Sequence, residues 1–340
     1  MIPQISKYTP KGIVFIPTYN CTGMCRHCNI DFNTHDMQKN MDVARAIEIL
    51  KEARKLGMHS MQITGGELTM CPEFMLAIIP QAQKLATRVN KPPTNGYIGK
   101  DENKTNWFFS ELKKINYTAG FRISIDPYHN GNIPVKWPAV FTAIYSKYFP
   151  LETLTIGSSF YDIREIYKLY DVFFEELKKT GIKEAWLDTK NKKMYIDGHR
   201  IKYGTWHPTR PAREKLDDYE VLMQDVPDKA CLGPKGVGYL WVEPDFKVRV
   251  CCGNGNGFLD DYVIGDLSKE SVADVVDRAK GNAFFSILAD MGPNGLRKKL
   301  NIKKIFIPAD KKYSFMCELC NEIMGNGRYK SIIEQELEEA

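Results

Sequence analysis

Three cysteines, Cys21, Cys25 and Cys28, stand within eight residues of one another, directly after an apolar run over 12–18 (GIVFIPT). That run reads as a buried strand. A buried strand that ends in a loop crowded with thiols constrains the fold. The strand end must stay open, and the thiols must be aimed at one point. Five more cysteines, Cys231, Cys251, Cys252, Cys317 and Cys320, gather in the last third, and Cys71 stands apart. The total of nine is odd, which argues against a disulfide framework and for a reduced compartment. A chain of 340 residues can bury a full core without such staples.

Apolar runs alternate with amphipathic stretches through the first half. The pattern predicts strands over 12–18, 60–64, 87–90, 120–126, 153–156 and 183–187. It predicts helices over 42–56, 73–85, 104–115, 135–147 and 163–179. A βα repeat about six units long implies a parallel sheet or an open barrel. The composition then changes. The polar stretch 190–202 carries Asp197-Gly198, a hairpin signal. The segment 205–214 (TWHPTRPARE) reads as a connector. From Cys231 a smaller unit follows, with a hairpin of 238–243 and 247–250 around Pro244-Asp245-Phe246 and a helix over 271–280. The expected organisation is a barrel over 12–205, a connector over 206–230 and a second unit over 231–340.

The net charge of +5 is too mild to argue for nucleic acid. No apolar run approaches the ~18 residues that a membrane span needs, and the N-terminus lacks the apolar core of a signal peptide. A cytoplasmic location is expected. The twenty residues before Cys21 are too few for a separate peptide-recognition domain. A peptide would therefore bind an exposed edge or the barrel mouth.

Function in such barrels gathers at the C-terminal ends of the strands. Cys21, Cys25 and Cys28 follow the first strand, and Gly65, Gly66 and Glu67 end the second. In the fourth, Arg122, Ser124 and Asp126 share one face, while Phe121, Ile123 and Ile125 share the other. The apolar face must meet helices, so the polar face points into the barrel. Thiolates at spacings four and three suit three corners of a [4Fe–4S] cubane with one iron left open. Structural zinc is the alternative, with His27 as a fourth ligand.

The segment Cys21-Thr22-Gly23-Met24-Cys25-Arg26-His27-Cys28 resembles the Cys-x3-Cys-x2-Cys signature of the radical S-adenosylmethionine (SAM) enzymes. Gly65-Gly66-Glu67 resembles their GGE motif, and Thr94-Asn95-Gly96 their turn after strand three. Ser124-Ile125-Asp126 resembles the polar end of their strand four, and His27 stands at their aromatic position before the third cysteine. The resemblance implies an α/β fold, a partial (β/α)6 TIM-like barrel. It implies a [4Fe–4S] cluster on Cys21, Cys25 and Cys28. It also implies SAM bound by Gly65, Gly66, Glu67, His27, Ser124 and Asp126, and an external one-electron reductant such as flavodoxin or ferredoxin.

The second cysteine group resembles the SPASM/twitch appendage of the same enzymes. Cys231 is followed by fourteen residues, then Phe246, four more residues, Cys251 and a downstream Cys317-x2-Cys320. Phe246 stands where the pattern has glycine, so an altered turn is expected. The resemblance implies a small twitch-type hairpin-helix domain with a second [4Fe–4S] cluster on Cys231, Cys251, Cys317 and Cys320. Cys252 is then left over and faces away from its neighbour. It resembles the hydrogen-atom donor of radical SAM peptide epimerases; a packed residue or an exchange of roles with Cys251 is the alternative. Cys71 is expected to be buried or to cap a helix. The expected function is peptide modification, with epimerisation its sharpest form. Dehydrogenation of a small alcohol or aminocyclitol is the alternative, and a non-catalytic iron–sulfur carrier is the reading from another class.

Overall fold

Strand β1 (Gly12–Phe15) is buried at every residue, which requires cover on both faces and both edges. It pairs in parallel with β2 (Ser60–Ile63) on one side and with β10 (Tyr239–Val242) on the other. β3 (Arg88–Val89) adds to β2. A second sheet carries β4 (Pro93–Thr94), β5 (Arg122–Ser124), β6 (Thr155–Ser159) and β9 (His199–Trp206), all parallel and in that order. This is an α/β partial barrel. The third strand is split into β3 and β4, with Pro92 and Pro93 at the break; neither offers an N–H to a ladder.

The computed structural model describes residues 10–206 apart from 26, 29, 31–35, 160, 161 and 192. It further describes 225–226, 231, 238–249, 251, 263–302, 307–308, 310–313, 316–327, 329 and 331–332. Most of the expected connector over 206–230 therefore lies outside the described residues, as does Cys252. Among the described residues no helix is long and apolar enough to cross a membrane.

The crossovers are α1 (Val43–Lys55), α2 (Pro72–Lys84), α3 (Glu102–Lys114), the short α4 (Pro127–Asn130) with α5 (Lys136–Ser146), and α6 (Ile163–Lys179). Asp42, Asp101 and Asp162 cap α1, α3 and α6 by accepting N–H bonds from Arg45, Lys104 and Arg164. The helices seal the outer face of the sheet. Phe121 meets Phe109 of α3 at 6.1 Å and Phe141 of α5 at 5.5 Å between ring centroids. That contact turns Phe121, Ile123 and Ile125 outward and Arg122, Ser124 and Asp126 into the barrel, as the alternation predicts.

The sixth barrel strand differs from expectation. The segment expected over 183–187 is β7 (Ala185–Asp188), which runs antiparallel to β8 (Lys193–Ile196). β8 in turn runs antiparallel to β9, and β9 is the strand parallel to β6. Asp197 and Gly198 make the expected turn, both with positive φ (45° and 76°). Asp197 also accepts the N–H groups of Lys183 and Glu184, at 2.8 and 3.0 Å. The hairpin is thus folded back as a flap, with β7 half exposed at the sheet edge. Local pattern identifies each strand but not which one closes on β6.

The C-terminal unit begins with β10, β11 (Lys247–Arg249) and β12 (Val263–Asp266), an antiparallel run that continues the sheet of β1. Helices α7 (Val272–Gly281), α8 (Ala283–Ile302) and α9 (Met316–Met324) follow. α8 is kinked at Gly292, φ 67°, just before Pro293. Glu52 of α1 accepts the N–H of Val272 at 2.8 Å, and Arg45 donates to the carbonyls of Leu267 and Glu270. These bonds anchor the unit on the barrel.

Phe246 does not produce an altered turn. It takes φ 68° itself, the left-handed conformation that glycine adopts freely, while its half-buried ring packs on the core. The left-handed backbone costs a non-glycine residue about 1 kcal/mol. Phe246→Gly should therefore unfold at higher urea than Phe246→Ala, by about 1 kcal/mol. Equal stabilities would show that the turn carries no such strain.

Candidate active site

The C-terminal end of β1 is locked to the loop after β2 by backbone contacts that only glycine permits. Gly66 N–H donates to Thr18 O at 2.9 Å, and Glu67 N–H donates to Asn20 O at 2.7 Å. A Cβ on Gly66 would lie 2.2 Å from Asn20 O, and one on Gly65, whose φ is 139°, 2.6 Å from Thr18 O. The two glycines therefore set the path of the chain into the cysteine loop.

Glu67 is 1% exposed and its carboxylate accepts four hydrogen bonds. Oε1 takes Thr69 N–H (3.0 Å), Thr69 Oγ1 (2.7 Å) and Thr94 Oγ1 (2.8 Å); Oε2 takes Asn95 N–H (2.8 Å). This side chain clamps the loops after β2 and β4 together. Asn95 passes the order on: its Oδ1 accepts Tyr97 N–H at 2.8 Å and its Nδ2 donates to Cys21 Sγ at 3.7 Å.

In the cysteine loop Met24 takes φ 45°, which folds the chain tightly. A Cβ on Gly23 would lie 3.1 Å from Cys25 Sγ and 3.3 Å from Cys21 Sγ, so the two sulfurs converge over a residue with no side chain. Asn132 Nδ2 holds Gly23 O at 2.7 Å, and Cys28 N–H closes on Cys25 O at 3.0 Å. Burial, with Glu67 adding to it, pushes the Cys21 thiol up to about 12. Such a thiol ionises when a cation takes its proton's place.

Asp126 is 2% exposed and also saturated. Oδ1 accepts the N–H groups of Tyr128 and His129 and the His129 ring at 2.8 Å; Oδ2 accepts Ser159 N–H at 3.2 Å. Burial opposes the charge, but the His129 partnership outweighs it and holds the carboxyl below its usual range. Burial opposes the charge on His129 too, yet Asp126 and a hydrogen bond to Cys25 raise it well above the ordinary histidine value. His27 lies 4.8 Å from Tyr128 and 5.1 Å from His129 between ring centroids, and burial pushes it down to about 4. Its Nδ1 has no partner among the described residues, nor has the buried Oγ of Ser159. One ligand atom from each of Cys25, His27 and His129 lies within 4.8 Å of the others.

These observations fit a metal cluster with a polar organic ligand beside it: converging thiols, a loop with room for them, and orphaned polar atoms in a barrel mouth. Ser124 lies half buried on the inner face. Ser159 and His129 were not expected. Ser159 was missed because the fifth strand runs three residues beyond the expected 153–156. The signal for His129 is its place three residues after Asp126, where a short helix turns it back onto that carboxylate.

Of the second cysteine group, Cys231, Cys251 and Cys320 are neighbours. Cys317 and Cys320 lie one turn apart on α9, both buried, and Cys251 follows β11. Burial raises the Cys320 thiol, and the neighbouring Cys251 and Cys231 sulfurs raise it further. Cys231 N–H is anchored on Leu288 O at 2.9 Å. A buried bridge joins the two groups. Tyr19 OH donates to Glu243 Oε1 at 2.8 Å and Arg249 Nε donates to the same oxygen at 2.6 Å. Cys71 sits at the N-cap position of α2, buried, its Sγ 3.6 Å from Leu68 O.

Solved structures share this architecture. SuiB from Streptococcus suis, bound to the precursor peptide SuiA, superposes with a TM-score of 0.52 at 13% identity, over 79% of this chain and 65% of SuiB. The match thus spans less than two thirds of SuiB. Histidine-tagged anSMEcpe with bound AdoMet gives 0.50 at 14% identity, over 98% of this chain and 99% of that one. The fold is that of radical SAM enzymes. No protein-family model matches the chain, and no curated protein sequence does.

The clamp around Glu67 predicts a large effect. Glu67→Ala leaves the buried donors of Thr69, Thr94 and Asn95 without an acceptor, at roughly 1–3 kcal/mol each before relaxation. Urea unfolding of the protein without iron should show a loss of about 3 kcal/mol. A loss below about 1 kcal/mol would mean that the loops hold their places without the carboxylate.

Proposed function

We propose that the chain is a radical SAM enzyme that modifies a peptide. The observation that carries this reading is the convergence of Cys21 and Cys25 over Gly23 in a barrel mouth that also holds the orphaned His27 Nδ1 and Ser159 Oγ. Cys21, Cys25 and Cys28 would hold a [4Fe–4S] cluster, and Gly65, Gly66, Glu67, His27, Ser124 and Asp126 would line the SAM site. Such a cluster, held by these residues, would supply the single electron for cleaving SAM to methionine and a 5′-deoxyadenosyl radical, the chemistry that removes a hydrogen atom from a C–H bond.

The chain's own part is positional. Asn95 fixes Cys21, and Asp126 and His129 fix Cys25. Glu67 and Asp126 also shape the SAM site through the loops that their carboxylates hold. The peptide reading draws on the shared fold with SuiB, whose structure holds a precursor peptide. Cys231, Cys251, Cys317 and Cys320 would hold an auxiliary [4Fe–4S] cluster in a twitch-type unit. Cys252 would donate a hydrogen atom in an epimerisation. The surroundings are a reduced compartment such as the cytoplasm, with flavodoxin or ferredoxin supplying single electrons.

Anaerobic reconstitution should load about eight irons per chain, and replacing Cys21, Cys25 and Cys28 by Ala should leave about four and abolish 5′-deoxyadenosine formation. Zinc without iron in an anaerobic preparation would overturn the assignment. Cys252→Ala should keep both clusters and SAM cleavage yet yield no epimerised product, and the unmodified enzyme in heavy water should place one deuterium on the reacting carbon. A product two hydrogens short and free of solvent deuterium would make the enzyme a dehydrogenase. Loss of the auxiliary cluster in Cys252→Ala would transfer the ligand role from Cys251.

A further inference from the structure

Cys25, His27 and His129 bring three metal donors together at the barrel mouth. One ligand atom from each lies within 4.8 Å of the other two. A tetrahedral ion of the zinc class, bonded at ~2.0 Å to nitrogen and ~2.3 Å to sulfur, holds such atoms ~3.5 Å apart. The three therefore close by no more than ~1.3 Å to grip one. They come from two elements. Cys25 and His27 belong to the loop after β1, and His129 stands in α4 after β5. Asn132, just past α4, ties the two together by donating from Nδ2 to Gly23 O at 2.7 Å.

The surroundings are those of a ligand set. His129 Nδ1 lies 2.8 Å from Asp126 Oδ1, and the N–H groups of Tyr128 and His129 hold the same oxygen in place. A ring whose Nδ1 donates to a carboxylate offers Nε2 to a metal, the orientation that ligating histidines use. His129 and the Cys25 thiol are already hydrogen-bonded, and an ion takes the place of the proton between them. His27 completes the set: its Nδ1 is buried and has no hydrogen-bond partner among the described residues. The two rings stand edge to face, 71° apart with centroids at 5.1 Å, so neither covers the other. Charge balances as well. Cys25 and Asp126 are both buried, and a divalent ion between thiolate and carboxylate makes a neutral assembly.

The cubane needs the Cys25 sulfur aimed with those of Cys21 and Cys28, whereas a single ion needs it aimed with two imidazoles. One conformation of the loop serves one of them. We propose that the chain without iron carries a mononuclear site for a divalent ion of the zinc class on Cys25, His27 and His129, and that this site and the cluster on Cys21, Cys25 and Cys28 exclude each other. The mononuclear site stands on the geometry alone, and the exclusion rests on the radical SAM reading above. Such an ion masks the Cys25 thiol before iron arrives and makes cluster assembly a metal exchange.

Cobalt(II), which enters zinc sites and is paramagnetic, is the probe. It is titrated anaerobically into the iron-free 340-residue chain, and solvent-exchangeable imidazole N–H signals shifted by the metal are followed by proton NMR. One such signal should appear from each ring, while cobalt on the C-terminal cysteines adds none. His27→Gln and His129→Gln should each remove at least one signal and weaken this binding about a hundredfold, and Asp126→Asn should weaken it about tenfold with both signals kept. The double variant Cys21→Ser, Cys28→Ser should keep both signals and the affinity, and it decides the matter if the histidine variants do not fold. Cobalt binding without shifted imidazole signals, or a tenfold loss in the double variant, overturns the site.

Iron and sulfide are then added to cobalt-free and cobalt-loaded chain. The first should gain about eight irons, and the second should do so only as both signals disappear. Both signals intact beside about eight irons overturn the exclusion. A cobalt-free chain that gains no more than about four irons removes the first cluster and leaves the mononuclear site standing.

Discussion

The buried carboxylate of Glu67 is the interaction on which the barrel mouth depends. The loops after β2 and β4 each carry only a short 3-10 turn, Leu68–Met70 and Tyr97–Lys100, and this carboxylate ties them together. A single carboxylate here accepts four hydrogen bonds, three at Oε1 from Thr69 and Thr94 and one at Oε2 from Asn95. Burying that charge is tolerated because donors surround it. From Asn95 the order reaches Cys21, and through the backbone of Gly66 and Glu67 it reaches the strand that leads into the cysteines. Asp126 repeats the device after the next strand, β5, where it fixes His129 and the end of β6.

The strands that lead into Cys21 and Cys251, far apart in sequence, belong to one sheet. β10 lies beside β1 in parallel, so the C-terminal hairpin is an extension of the barrel wall. Tyr19, two residues before Cys21, and Arg249, two before Cys251, meet on Glu243, and all three are buried. An ion pair in such a place contributes less to stability than to register. It fixes the cysteine loop and the hairpin against each other.

Much of this could be read from the sequence. The order of strands and helices through α6 followed from hydrophobic period, and the inward face of β5 from alternation between Arg122 and Asp126. The cysteine spacing, with the glycine pair after β2, located the site because both motifs are local: their residues lie within one loop each. The sixth barrel strand was not legible, since β7, β8 and β9 all have strand-like sequences and only the turn at Asp197 and the pairing with β6 decide among them. Phe246 reads as a departure from glycine, yet the packing of its ring holds the backbone where glycine would go.

The sequence by itself determined the clustering of the first three cysteines and the polar inner face of β5, because residue spacing and strand alternation are properties of adjacent positions. The tertiary structure alone decided what those residues are free to do. Glu67 and Asp126 look like ligand-binding carboxylates in the sequence, and the fold adds hydrogen bonds to them from Thr94, Asn95 and Ser159 on other elements. Ser159 and His27 keep unpartnered atoms because nothing on the described neighbouring elements reaches them. Arg122 and Lys202 are far apart along the chain and fall in one row, on either side of Thr155, only when β5, β6 and β9 pair in register. Hydrogen-bond saturation and cross-strand register are sums over the whole fold, and no local stretch of sequence contains them.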